Sequence, residues 1–391
     1  MRSIIIGGGV AGAAAALALR RVGVEATVYE AYEDPAGDVG SFVSLAGNGL
    51  RCLDVLGCLE PVQAAGVEIP RQRMWSAGGR LLGDVPRGRR SADTLHSVTL
   101  PRGRLVAALR DAAAAAGARI VTGERAVGVT ETADGVRAEF AGGRRDGADL
   151  LVAADGIRSI VRGLLDPAAP VPEYAGLYAI SGVSRMDGVE PGVFNLTFAR
   201  NGAFIHLAAG PGEVWWQAQI ARPDEPGRAG VDDADRLRDI ARLYRDERVP
   251  SAVIAATTRL HPAVLFHAVD PVPTWHGERT VLIGDAAHPV GAGQGASMAI
   301  EDALALATAL RSEPAIPGAL RAYDAERRPR IARLLDAAED NRGMKKAGPV
   351  KRRAQALMMR LFVPLFYERA TAHLYAYEPP RLSAPTGRAP R

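Results

Sequence analysis

The chain opens on a short β-branched run, Ile4-Ile5-Ile6, of the kind that fills a strand buried on both faces. A glycine-rich turn, Gly7 to Gly12, follows, and Ala13 to Arg21 then reads as a strong helix former closed by Gly23. Glu25 to Tyr29 is the next strand, and Glu30 ends it. This order predicts a right-handed βαβ unit. Residues 41–66 read as helical, and 72–98 as short strands joined by turns. Leu105 to Ala116 predicts a helix and Arg119 to Val121 a strand. The Asp-Gly pair at Asp134-Gly135 predicts a hairpin, and Asp149 to Ala154 a buried strand that stops at Asp155-Gly156.

From about 172 to 270 the texture changes. Runs such as Val193 to Phe198 and Glu213 to Ile220 alternate, as in an antiparallel sheet with one covered face. Asp232 to Arg248 predicts a charged amphipathic helix. Buried-strand character returns at Thr280 to Ile283, followed by helices over Ser297 to Leu310 and Tyr323 to Asn341. The pattern therefore predicts an α/β fold, a Rossmann-like nucleotide lobe with a mixed or antiparallel sheet lobe inserted and a helical segment at the C-terminus. The expected division is 1–70, 96–172 and 271–343 for the nucleotide lobe and 71–95 with 173–270 for the substrate lobe. Helices over 344–378 and a loose, proline-rich tail over 379–391 complete it. Within 344–378, Ala354 to Phe366 is apolar, and Pro364 is expected to break its helix.

Composition narrows the class. The 391 residues suit two lobes, and a net charge of +4 from 48 basic and 44 acidic residues gives no reason to expect nucleic acid. All three lysines, Lys345, Lys346 and Lys351, lie in a basic stretch from Arg342 to Arg353. Two cysteines, Cys52 and Cys58, make no disulfide framework and point to a reducing, cytoplasmic setting. No apolar run reaches the ~20 residues of a membrane span, so no stable membrane association is expected. No metal-ligand spacing is visible, and a monomer or homodimer is expected.

Three segments carry chemistry. In the first, Gly7 permits a tight turn, Gly9 lets the backbone approach a pyrophosphate, and Gly12 lets helix and strand pack closely. Val10 and Ala11 lie inside this turn, and Glu30 stands where a carboxylate can take ribose hydroxyls. In the second, a buried strand delivers Gly284-Asp285 to its carboxyl end. The loop Gly291 to Ser297, with Gly293, Gly295, Ala296 and Ser297, then feeds a helix N-terminus able to face an anion. In the third, Asp155-Gly156 ends another buried strand, with Asp155 placed either to cap the next helix or to face a cofactor.

Together these segments resemble the single-component, class A FAD-dependent monooxygenases with the para-hydroxybenzoate hydroxylase fold, over roughly residues 3–343. The salicylate- and urate-hydroxylase-like enzymes are the subgroup they look most similar to. Gly7, Gly9 and Gly12 match the first fingerprint, Asp155-Gly156 the DG motif and Gly284-Asp285 the GD motif. Arg102 in Leu100 to Leu105 matches the arginine that contacts FAD. The resemblance implies that Glu30 binds the adenosine ribose and Asp285 the ribityl–pyrophosphate part. It implies that the 291–297 loop faces the isoalloxazine and that Asp155 lies near the pyrophosphate. Val127 completes the expected FAD-binding set. The segment between His288 and Gly293 is shorter than the family pattern.

The implied reaction uses FAD with NADH or NADPH as a transient reductant. Oxygen forms a flavin C4a-hydroperoxide that hydroxylates or epoxidises a small aromatic or polycyclic molecule. His206, Arg200, Trp216 and Gln217, on the inserted sheet, are the expected substrate contacts, and His288 is expected to be structural. A reductase or dehydrogenase of the same fold is the alternative. A halogenase is disfavoured, since no Trp-x-Trp-x-Ile-Pro segment is present.

Overall fold

A computed structural model describes residues 1–34, 41–226, 232–289, 294–345 and 349–382. Five short strands form an all-parallel sheet in the order Thr280–Leu282, Leu150–Ala153, Arg2–Ile6, Glu25–Tyr29, Arg119–Val121. The middle strands are buried on both faces, which is why they read as unbroken apolar runs rather than alternating ones. The alanine-rich helix Val10–Arg21 packs against both Arg102–Ala115 and Gly295–Ser312. Small side chains on it let three helices approach closely. Its close approach to the first strand requires Gly12, where a Cβ would stand 1.8 Å from the Gly7 carbonyl oxygen.

The inserted lobe is an eight-stranded sheet built from two stretches of chain, Arg71–Ser76 with Leu81–Pro86 and the strands between Glu173 and Ala268. One of its faces is covered by helices Asp233–Leu243 and Arg248–Ala255 over Phe204, Trp216, Ile220 and Tyr244. The other face meets the first lobe, where Phe42 stacks on Trp215 with centroids 6.1 Å apart.

Several expectations are corrected. Residues 41–66 are not helical throughout: Phe42–Leu45 is a strand paired antiparallel with Val98–Pro101, because its aromatic and β-branched residues are covered by the inserted sheet. Helices Gly47–Val55 and Leu59–Ala64 follow, separated by Gly57 at φ 62°. The helix expected over Asp232 to Arg248 ends at Leu243, and a second helix, Arg248–Ala255, begins only where the first was expected to stop. Pro364 does not break the C-terminal helix, which runs from Pro349 to Tyr375. Met359, Val363 and Tyr367 on either side of it are seated on Met74, Leu82 and Val85, and this packing outweighs the lost backbone bond. The opposite side of that helix leaves Leu357, Leu361, Phe362 and Leu365 exposed. No described helix is long and apolar enough to cross a membrane.

Candidate active site

The helix Val10–Arg21 begins at Gly9 without a side-chain cap and with no acidic residue in its first turn. Its leading N–H groups and positive dipole end are therefore left for an outside anion. Glu30 is buried and fastened by the backbone: Gly8 N–H donates to Oε2 at 2.7 Å and Tyr32 N–H to Oε1 at 2.9 Å. Those two bonds aim the carboxylate while leaving lone pairs for ribose hydroxyls. Val10 and Ala11 are half-buried beside the turn. Val127, on the strand Ala126–Thr132, is 55% exposed.

Arg102, the first residue of its helix, reaches over this cradle: its Nη2 lies 3.6 Å from where a Gly9 Cβ would be. Asp285 faces the same space from a 3-10 turn, Gly284–Ala286, that follows the edge strand. Gly284 has φ 58° and lies against Ala11, so this turn is pressed onto the first helix. The Asp285 side chain is open to solvent at its tip, yet the protein packed around it raises its carboxyl, with His288 and Arg102 lowering it and Asp302 raising it further, for a net rise. The structure thus brings together Gly9, Arg102 and Asp285, which are far apart in sequence.

The helix Gly295–Ser312 presents a second uncapped N-terminus with no acidic residue in its first turn. Gly295 and Ala296 open that turn half-buried, and Ser297 is buried with Oγ 3.4 Å from the Ala46 N–H. The Gln294 side-chain oxygen is buried without a protein partner. Gly293 lies outside the described residues. Two uncapped helix ends, the second preceded by an unsatisfied buried amide, fit a dinucleotide whose phosphates meet one end and whose ring meets the other.

Asp155 bonds the start of the next helix without being its capping residue. Its Oδ2 accepts from Ile160 N–H at 2.9 Å and Val161 N–H at 3.4 Å, while Oδ1 is buried without a partner. Ser159 is the true cap of helix Ile160–Leu165. Arg162, buried, donates to the Ala286 carbonyl at 3.0 Å and so ties this turn to the Asp285 turn.

A buried charge network, missed from sequence, stands behind the second motif. Asp302 accepts from Gly284 N–H at 2.8 Å, contacts His288 Nε2 at 2.6 Å and pairs with Arg327 Nε at 2.7 Å. Arg327 also bonds Glu301, which takes Arg330 and the Asn48 amide as well. Burial alone would raise the Asp302 carboxyl, but His288, Arg327 and Gly284 together hold it well below the usual range. The signal was the Glu301-Asp302 pair just inside an apolar helix. Two carboxylates there need buried cations.

The substrate-lobe residues divide by face. Gln217 lies on the face toward the first lobe, its Nε2 3.5 Å from Ser41 Oγ and its Oε1 bonded by Gln219 at 2.8 Å. His206 and Trp216 are cross-strand partners on the opposite face, beside Phe204 and under the outer helices. Burial pushes His206 down to about 4. Arg200 is on the surface, ion-paired with Asp246. These three are therefore not brought to the junction between the lobes. Trp215, one residue from Trp216, is.

A parallel sheet with an inserted sheet lobe, and two uncapped helix starts at its carboxyl edge, is the arrangement of a dinucleotide-binding protein. Residues 1–338 match the FAD binding domain family, and the chain belongs to it, among the class A FAD-dependent monooxygenases. The chain is 32% identical to an aurachin C monooxygenase/isomerase of Stigmatella aurantiaca, over 83% of this chain and 84% of that protein. It is 29% identical to an FAD-dependent urate hydroxylase of Klebsiella pneumoniae, over 86% and 88% of the two. Among solved structures, Klebsiella pneumoniae HpxO complexed with FAD and uric acid superposes with a TM-score of 0.84 at 23% identity, covering 97% of each chain. A salicylate hydroxylase substrate complex gives 0.80 at 22%, covering 99% of this chain and 98% of that one. The protein is an FAD-dependent monooxygenase, with NAD(P)H the reductant typical of its family.

Proposed function

We propose that the chain hydroxylates or epoxidises a small aromatic or heterocyclic metabolite seated between the lobes, with oxygen as co-substrate. The observation that supports this reading is the convergence of Arg102 and Asp285 beside the uncapped start of the helix Val10–Arg21. The relatives named above for urate and aurachin C act on ring systems, which fits an apolar junction lined by Phe42, Leu196, Ile205 and Trp215.

We assign residues 1–70, 96–172 and 271–343 to FAD and 71–95 with 173–270 to substrate. The amides of Gly7 to Gly12 would take the pyrophosphate, Glu30 the ribose, and Arg102 and Asp285 the ribityl–pyrophosphate part. The N-terminus of Gly295–Ser312 would place its dipole toward the pyrimidine end of the isoalloxazine, where negative charge needs stabilising. Bound FAD supplies the electron transfer and oxygen activation. The protein's own residues orient the ring and exclude water. Gln217, facing the junction, is our substrate-contact residue from the inserted sheet. Two free buried thiols, Cys52 and Cys58, support a reducing, cytoplasmic setting, and we expect a monomer or homodimer.

The test is oxidation of NADH and NADPH by FAD-loaded protein with phenols, purines and polycyclic aromatics under labelled oxygen. A compound that accelerates oxidation and gains one labelled oxygen supports the reading. Accelerated oxidation with no labelled product would turn it toward a reductase of the same fold.

A further inference from the structure

Arg87 follows the strand Leu81–Pro86 and sits where three parts of the fold meet. Its backbone is fixed at each side: Arg87 N–H donates to the Pro70 carbonyl at 3.0 Å, and its own carbonyl takes the Ser97 hydroxyl at 2.7 Å. The next carbonyl, Gly88, accepts from Gly47 N–H at 2.7 Å. Gly47 opens the helix whose Gly49 rests directly on Ser297, at the end of the helix assigned above to the flavin ring. Phe194, on the inserted sheet, lies flat beneath the guanidinium, 3.3 Å from its carbon. The C-terminal helix closes the other side with Tyr367 and Tyr375, which hydrogen-bond each other.

The guanidinium is only half used. Nη1 donates to Gln72 Oε1 at 2.5 Å. Nε is buried with no partner, and no described residue bonds Nη2. These two nitrogens share the side-on edge that fits a carboxylate through two parallel hydrogen bonds. Among the described residues no carboxylate lies within ion-pairing distance, although the neighbouring Arg90 and Arg51 both share Asp93. Burial pushes the Arg87 guanidinium down to about 10, with only the two tyrosines acting to restore it. Even so, part of the residue's surface stays open. A desolvated cation with a free bidentate edge costs free energy unless an anion arrives to pair with it.

We propose that Arg87 is the anion-recognition residue of the substrate pocket, and that the substrate is a ring compound carrying an ionised oxygen, a carboxylate or an acidic ring hydroxyl. This rests on the reading that substrate lies between the lobes beside the flavin. Phe194 holds the guanidinium plane, Gln72 holds one corner, and the Nε–Nη2 edge receives the anion. The ring of the substrate then lies toward Leu196 and Ile205, which share the Phe194 face of the sheet. The tyrosine pair excludes water from behind. Arg87 thereby selects ionised over neutral rings and fixes which ring position meets the flavin.

The test compares acids with their amides by titration calorimetry on FAD-loaded protein, using salicylate against salicylamide and quinoline-4-carboxylate against its amide. The unmodified protein should bind at least one acid more tightly than its amide by about tenfold or more, the strength of a charge-assisted pair. In Arg87→Gln that ratio should fall to near one, while the amide's affinity stays within about threefold. Arg87→Lys should keep part of the preference, because it retains charge but not the bidentate edge. No preference for either acid in the unmodified protein overturns the assignment. So does an unchanged ratio in Arg87→Gln, or an equal loss of acid and amide binding, which would make Arg87 a strut for the C-terminal helix. Binding is read without turnover, so a failed labelled-oxygen experiment counts against the monooxygenase reading alone.

Discussion

Asp302 and His288 meet at 2.6 Å, both buried, and the same Asp302 oxygen accepts the Gly284 N–H at 2.8 Å. One carboxylate therefore holds both ends of the five-residue turn that carries Asp285. Arg327 holds Asp302 from behind at 2.7 Å. Removing one partner from such a buried group leaves an unpaired charge, which typically costs about 3–5 kcal/mol. Arg327→Met should destabilise the protein by that order in urea unfolding. Adding Asp302→Asn to it should cost less than the two separate losses summed, because the pair acts as a unit. Additive losses would show that the two groups do not depend on each other.

Gly9 and Gly12 lie in one turn but should fail differently. An added Cβ at Gly12 would stand 1.8 Å from the Gly7 oxygen, so Gly12→Ala should lose both fold stability and FAD. At Gly9 the same Cβ meets only Arg102 Nη2, at 3.6 Å, an ordinary contact. Gly9→Ala should therefore keep the apoprotein's melting temperature while weakening FAD by roughly tenfold or more, since the methyl occupies the phosphate's approach. A variant that keeps FAD would move the pyrophosphate away from Gly9.

Arg102 is exposed over the cradle, and its positive charge lowers the Asp285 carboxyl. Arg102→Met should leave stability within about 0.5 kcal/mol, as surface changes usually do. It should still weaken FAD by about tenfold or more, through loss of a charge-assisted contact. Its FAD affinity should also vary less with salt than that of the unmodified protein. Equal salt dependence in the two proteins would remove Arg102 from the phosphate contact.

The first lobe was legible because its constraints are local. A glycine that must admit a carbonyl at Gly12, or an acid that ends a strand at Glu30, leaves its mark within a few residues. The face of the inserted sheet was not legible. Trp215 and Trp216 both read as apolar strand positions, and alternation says that they point opposite ways without saying which meets the other lobe. Only the contact with Phe42, 173 positions earlier in the chain, decides for Trp215. The continuous helix through Pro364 has the same origin, since the packing of Met359 and Val363 comes from strands far away in sequence. Nothing local distinguishes Arg87 within its arginine-rich stretch, because its neighbours Phe194 and Tyr367 are distant along the chain.

His206 supplies the test of that face assignment. Burial pushes it down to about 4, well below the 6.5 of a free histidine. Above pH 6.5 the ring is neutral in both folded and unfolded chains and contributes no pH dependence. Between 6.5 and 4 the unfolded chain binds a proton that the folded one refuses, so stability falls as pH falls, by up to roughly 3 kcal/mol at the acid end. His206→Gln cannot titrate and should flatten the stability profile in that window. Because the ring lies beneath the outer helices with Phe204 and Trp216, the same variant should leave kcat and KM for the substrate within about twofold, under ~0.5 kcal/mol. A flattened profile with a large change in KM would place His206 on the substrate side after all. An unaltered profile would mean that His206 is hydrated in the folded protein and that the sheet packs less tightly against its outer helices.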